Sequence, residues 1–258
     1  MARGRSGWKS NDFEATRVRS ELALRLLMRQ RSRPHVPGVT LHVRQRGNNR
    51  CAIFGDETDY ASFLVMLHSA TRRHRVDVHG YTLMTTHTHL YLTPTTAHGT
   101  AKAMHLLGLR YVMYFNRKYG RVGTLWTGPY RDKAITDERY WLTCLRYIEL
   151  NPVRAKLVVR PEQYQWSSYR AHALDSRPSW LAPHPVFDAL GADIDRRQAA
   201  YRALCAVPLT DEELARQRLG DLGQNGVRSG SDPSTFLDCV VSSSRRVAGG
   251  NGTDDPVS

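Results

Sequence analysis

The chain has 258 residues, enough for one ordinary core with flanking segments, and its 41% hydrophobic and 24% charged residues give the balance of a globular protein. A formal charge of +13 points to a polyanionic partner, either nucleic acid or an acidic membrane surface. No stretch approaches the ~18 apolar residues of a membrane span, and the basic N-terminus lacks the apolar core of a signal peptide, so a soluble, cytoplasmic protein with no membrane partner is expected.

The charge is unevenly spread. Lys and Arg outnumber Asp and Glu by 12 to 3 over residues 1–50 and by 16 to 10 over residues 51–175, then fall to 9 against 11 over residues 176–258. Cys51, Cys144, Cys205 and Cys239 lie far apart with no C-x-x-C pair, which argues against a zinc ribbon or a small disulfide scaffold.

Residues 1–34 form a basic N-terminal extension in which Leu22, Leu26 and Leu27 fit a short amphipathic helix, with a solvated extension as the alternative. Val39 to Val43 reads as a strand, ended by the turn-forming run Gly47-Asn48-Asn49. Asp56 to Arg73 reads as a helix with Tyr60, Phe63, Leu64 and Leu67 on one face. Val76 to Thr93 has the pattern of a hairpin, and Gly99 to Tyr119 is helical by the spacing of Met104, Leu107, Tyr111 and Phe115. Gly123 to Trp126 and Tyr130 to Ile135 look extended.

Asp137 to Leu150 predicts a further helix, with Thr136 as cap and Trp141, Leu145 and Ile148 as its apolar stripe. The order β-α-β-β-α-β-α implies an α+β fold, a ferredoxin-like antiparallel sheet with helices packed on one face. Residues 176–258 read as a C-terminal extension in which Thr210 to Leu219 resembles a capped helix and the Gly-, Ser- and Asp-rich remainder reads as disordered.

His87 and His89 fall on a predicted strand, so both imidazoles project from one face, close enough to share a divalent ion. With 11 histidines in the chain the pair also arises readily by chance, and ordinary structural roles stay open. Tyr147 and Asn151, four apart, share a helix face beside the apolar stripe. A phenol can attack a phosphodiester if a nearby cation withdraws charge from the phosphate. Asn151 precedes Pro152, which biases it away from helical geometry, and reads either as a metal-completing amide or as a C-terminal cap.

Arg44, Arg46, Asn48, Arg50, Trp126, Arg131, Lys133 and Arg154 supply the cations, amide and aromatic surface that single-stranded DNA binding requires. No carboxylate triad for two-metal chemistry and no phosphate-binding G-x-x-x-x-G-K-[ST] loop occurs, so transesterification is favoured over nucleotide-driven chemistry.

Several blocks in order, Gln45-Arg46-Gly47-Asn48-Asn49-Arg50, His87-Thr88-His89, Tyr114-Phe115-Asn116, Gly123-Thr124-Leu125-Trp126 and Arg146-Tyr147-Ile148-Glu149-Leu150-Asn151-Pro152-Val153-Arg154-Ala155, resemble the single-tyrosine HUH transposases, specifically the IS200-like and REP-associated tyrosine transposases. The resemblance implies a catalytic domain over residues 35–175, a Mg²⁺ or Mn²⁺ ion on His87, His89 and Asn151, and Tyr147 as nucleophile forming a 5′-phosphotyrosine. It also implies single-stranded DNA hairpins or palindromic repeats as partners and a monomer or homodimer. The alternative expectations are a non-cleaving hairpin-binding regulator and an RNA-binding protein. One departure is Thr88, where the family carries a bulky apolar residue; slightly poorer packing beneath the histidines is expected.

Overall fold

The computed structural model describes residues 34–174 and 177–219, and the fold below belongs to the compact unit that begins at His35. The predicted helix around Leu22 to Leu27 and the predicted disorder beyond Gly220 lie outside the described residues.

Four strands, β1 (Thr40–Arg46), β2 (Val76–Met84), β3 (His87–Pro94) and β4 (Arg131–Ile135), form one antiparallel sheet in the order β2-β3-β1-β4. The predicted hairpin is β2–β3, turned at Thr85-Thr86. β1 runs on to Arg46, three residues past its predicted end, so Arg44 and Arg46 are strand residues with a defined face.

Alternation along the strands divides the side chains between two cores. Leu41, Val43, Leu90 and Leu92 face helices α1 (Glu57–Arg73) and α2 (Gly99–Lys118), which contribute Phe63, Leu67, Met104, Leu107, Tyr111 and Phe115. Asp56 and Asp59 cap α1 reciprocally, and the buried Asp59 carboxylate accepts from Lys118 Nζ at 2.7 Å, Tyr114 Oη at 2.8 Å and Tyr119 Oη at 2.7 Å, which ties the two helices together. The opposite face carries Tyr91 and Ile135 and packs against α3 (Glu138–Glu149) through Trp141, Cys144, Leu145 and Ile148.

The antiparallel α+β sheet thus has its two long helices on one face, as expected, and a shorter third on the other. α3 takes the second face because its stripe meets the residues that β1, β3 and β4 turn away from α1 and α2. Its cap is Asp137, whose Oδ1 accepts from Arg139 N at 2.9 Å, where Thr136 had been expected; a carboxylate is the stronger acceptor at a helix N-terminus. Gly123 to Trp126 forms no strand beyond a single bridge between Gly47 and Trp126, with Gly123 turned to φ +87°.

Beyond α3 come α4 (Asn151–Arg154), α5 (Tyr169–Ala173), α6 (Pro185–Asp188), α7 (Ile194–Ala206) and α8 (Asp211–Leu219). α8 lies against α3 and β4: Lys133 Nζ donates to the Arg216 carbonyl at 2.8 Å and Thr143 Oγ1 to Glu213 at 3.3 Å.

Candidate active site

β3 places His87 and His89 on the α3 face, with ring centroids 4.9 Å apart. Strand register then fixes their neighbours: Arg46 lies opposite His87, Arg44 opposite His89, and on the next strand Arg131 opposite Arg44 and Lys133 opposite His42. The histidines therefore sit in a row of cations on one sheet face.

Burial, with Arg46, Arg44 and His42 nearby, pulls the His87 pKa down to about 3, and burial lowers His89 well below the ordinary imidazole value. Burial, with Arg44 and Lys133, brings His42 to about 3. All three rings are neutral at physiological pH, and neutral imidazole is the form that offers a lone pair to a metal.

α3 is held to the sheet at several points that determine where Tyr147 falls. Trp141 Nε1 donates to Thr40 Oγ1 at 3.1 Å and Tyr91 Oη to the Trp141 carbonyl at 3.1 Å. Pro152 has no N–H to offer the Ile148 carbonyl; Thr82 Oγ1 on β2 donates to it at 2.9 Å. Gly80 permits the close approach, since a Cβ there would lie 2.6 Å from Leu145 Cδ1.

The helical path carries on through the proline: Leu150 N donates to the Arg146 carbonyl at 2.9 Å and Arg154 N to the Leu150 carbonyl at 3.0 Å. Asn151 consequently stays one turn beyond Tyr147, and the pre-proline bias does not move it off the helix. Asn151 Nδ2 lies 3.1 Å from His89 Nε2, the Tyr147 ring is 6.2 Å from the His89 ring, and the Arg154 guanidinium stacks 4.1 Å from the centre of the Tyr147 ring.

Two neutral imidazoles and an amide, which can turn either an N–H or its Oδ1 toward a neighbour, form a donor set that fits a divalent ion of intermediate softness. Among the described residues no group of three or more His, Cys, Asp or Glu could hold a metal, and the Asn151 amide is a further polar group that the structure brings beside His89.

The residues expected to contact DNA are not all brought together. Arg44, Arg46, Arg131 and Arg154 belong to the histidine side of the molecule, with Arg46, Arg131 and Arg154 exposed. Asn48 and Arg50 lie on a short 3-10 turn joined to the β2–β3 loop by Gly47 N donating to the Thr86 carbonyl at 2.9 Å. Lys133 is engaged by Tyr140 Oη at 3.0 Å as well as by Arg216. Trp126 is set apart: its indole stacks on Tyr111 at 6.0 Å and its Nε1 is buried, so much of that ring serves the α2 core.

Two residues that the structure brings to the site are not among the site residues expected from the sequence. His42 Nε2 lies 2.8 Å from His89 Nδ1, a contact created by strand pairing, although its alternation with Arg44 and Arg46 already put it on their face. Glu149, two residues from Tyr147, is buried with its carboxylate bonded to Ser168 Oγ, His172 Nδ1 and Tyr201 Oη.

Residues 35–151 match the family model of IS200-like transposases. No curated protein matches the sequence significantly. Among solved structures, a REP-associated tyrosine transposase bound to a REP hairpin is similar at 15% identity and a TM-score of 0.47, covering 59% of this chain and 89% of that one. The tRNA(His) guanylyltransferase of Saccharomyces cerevisiae is similar at 10% identity and a TM-score of 0.37, covering 70% of this chain and 84% of that one. His87, His89, Tyr147 and Asn151 all fall inside the stretch that is similar to this family model.

Proposed function

We propose that this protein cleaves and rejoins single-stranded DNA at hairpins by metal-dependent transesterification through Tyr147. The observation that carries the reading is the convergence, from β3, α3 and α4, of two neutral imidazoles, a tyrosine and an arginine within one cluster. Hairpin recognition rests on the resemblance of the Gln45 to Arg50 block and on the cations that line the histidine face.

In this reading Tyr147 Oη attacks the scissile phosphorus. The Oη–P bond forms, the P–O3′ bond breaks, and the departing 3′-oxygen gains a proton while the phenol loses one. The product is a 5′-phosphotyrosine with a free 3′-hydroxyl, and attack by a 3′-hydroxyl reverses the step. His87, His89 and Asn151 Oδ1 would hold a Mg²⁺ or Mn²⁺ ion, which when bound withdraws charge from the phosphate. Arg44, Arg46 and Arg131 contact the DNA backbone, Asn48 and Arg50 approach it from the adjoining turn, and Arg154 supplies a cation beside Tyr147.

The test mixes full-length protein with labelled single-stranded hairpins taken from the DNA flanking its gene, with Mg²⁺, Mn²⁺ or EDTA, and follows an SDS-resistant adduct. A metal-dependent adduct that disappears in Tyr147→Phe supports the proposal. Tight hairpin binding with no adduct under either metal would instead make the protein a binding regulator. Arg46→Ala is expected to weaken binding across sequences and flatten its salt dependence.

A further inference from the structure

His42 lies on β1 with its ring beside that of His89, 5.1 Å between centroids and 25° between planes. The Asn151 amino nitrogen lies 3.1 Å from His89 Nε2, so that ring nitrogen carries the lone pair and the ring proton resides on Nδ1. His89 Nδ1 in turn lies 2.8 Å from His42 Nε2, so His89 donates and His42 accepts. Both partners are buried, at 8% and 2% exposure, and water cannot readily replace the bond.

Which nitrogen of an imidazole can bind a metal is set by the hydrogen bond that the other nitrogen makes. We propose that His42 is a positioning residue: by accepting the Nδ1 proton of His89 it fixes the ring plane and keeps the lone pair on Nε2, the nitrogen that would ligate the metal. The inference rests on the reading of His87 and His89 as metal ligands and adds to it a residue that was not among the expected site residues. His42 touches neither DNA nor metal in this role. Its counterpart in other metal sites is the carboxylate or carbonyl that usually receives the second N–H of a ligating histidine. Here an imidazole does so, from the neighbouring strand.

Packing alone would also keep a ring at position 42, and two substitutions separate the roles. His42→Phe preserves an aromatic ring and removes the acceptor. His42→Gln removes the ring and returns an acceptor oxygen at comparable reach. Mn²⁺ binding to full-length protein without DNA, followed by the electron paramagnetic resonance signal of the free ion, reads the site independently of cleavage.

Wild type should bind and His89→Ala should not. His42→Phe should bind about 10–100-fold more weakly than wild type, and His42→Gln should recover most of that loss. Wild-type affinity in His42→Phe, or a loss in His42→Gln as large as in His42→Phe, overturns the proposal while leaving the metal site intact. Absent binding in wild type, or full binding in His89→Ala, overturns the metal reading itself and the role of His42 with it. Nitrogen-15 spectra of histidine-labelled wild type without metal need no variant: they should show His89 protonated on Nδ1, and protonation on Nε2 overturns the proposal.

Discussion

The guanidinium carbon of Arg154 lies over the Tyr147 ring, 4.1 Å from its centre, two turns along a helical path that a proline interrupts but does not end. A cation over the ring restrains the phenol, and in the proposed reaction it would favour the charge that develops on it during attack. Arg154→Gln should lower single-turnover adduct formation at saturating DNA by roughly 10²-fold, the low end for loss of one transition-state donor. Arg154→Lys, which keeps the charge without the planar stack, should fall between Gln and wild type. Equal rates in all three proteins would remove Arg154 from the chemistry.

Thr88 lies between the two candidate ligands and points away from them into the α1–α2 core, where its Oγ1 is buried with no hydrogen-bond partner. An unsatisfied buried hydroxyl costs about 1–3 kcal/mol. Thr88→Val replaces it with a methyl of similar size and should raise the melting temperature by several degrees, given about 2–4 °C per kcal/mol for a domain of this size. Mn²⁺ affinity should stay unchanged, because the substitution is on the opposite face of the strand. A lower melting temperature would show that the hydroxyl is satisfied in solution.

The elements that sequence patterning revealed are those whose own residues carry the signal. Phe63 and Leu67, or Met104, Leu107, Tyr111 and Phe115, repeat at helical spacing before any partner is known. His87, His89, Tyr147 and Asn151 were singled out by the resemblance of the blocks that contain them, since spacing alone left ordinary structural roles open to each pair. What pairing creates was not legible. His42 acquires its contact only when β1 lies beside β3, and Glu149 only when α5 and α7 return to α3. Trp126 illustrates the converse, since an aromatic among cations matches a base-stacking pattern while its ring packs on Tyr111.

Glu149 closes α3 between Tyr147 and Asn151, and its buried carboxylate gathers Ser168, His172 Nδ1 at 2.7 Å and Tyr201 Oη at 2.7 Å. Removing it strands three buried polar groups together. Glu149→Ala should destabilise the protein by about 3–5 kcal/mol, whereas Tyr201→Phe, which removes one donor and keeps the ring, should cost about 1–2 kcal/mol. Urea unfolding measures both. Similar small losses would mean that the carboxylate is solvated and does not organise the end of α3.

His79 provides a test by pH at a point remote from the candidate ligands. It lies at the irregularity in β2 between Val78 and Gly80, and its Nδ1 donates to the Ala182 carbonyl at 3.2 Å while Nε2 accepts from Thr93 Oγ1 at 2.8 Å. Both nitrogens are thus satisfied by the neutral ring. Burial pulls its pKa down to about 4, against the raising effect of the Ala182 bond, and His184, His172 and Arg177 lower it further. Between pH 6.5 and 4 the unfolded chain therefore binds a proton that the folded protein refuses. Stability from this group is fully present above about pH 6.5 and is lost as pH falls toward 4, by at most about 3 kcal/mol. His79→Gln retains a donor and an acceptor without titrating. The difference in urea midpoint between pH 7 and about pH 4.5 should accordingly be smaller in the variant than in wild type, with the remainder contributed by His184 and the buried histidines of the candidate site. An undiminished difference would mean that His79 takes up its proton in the folded state as readily as in the unfolded chain.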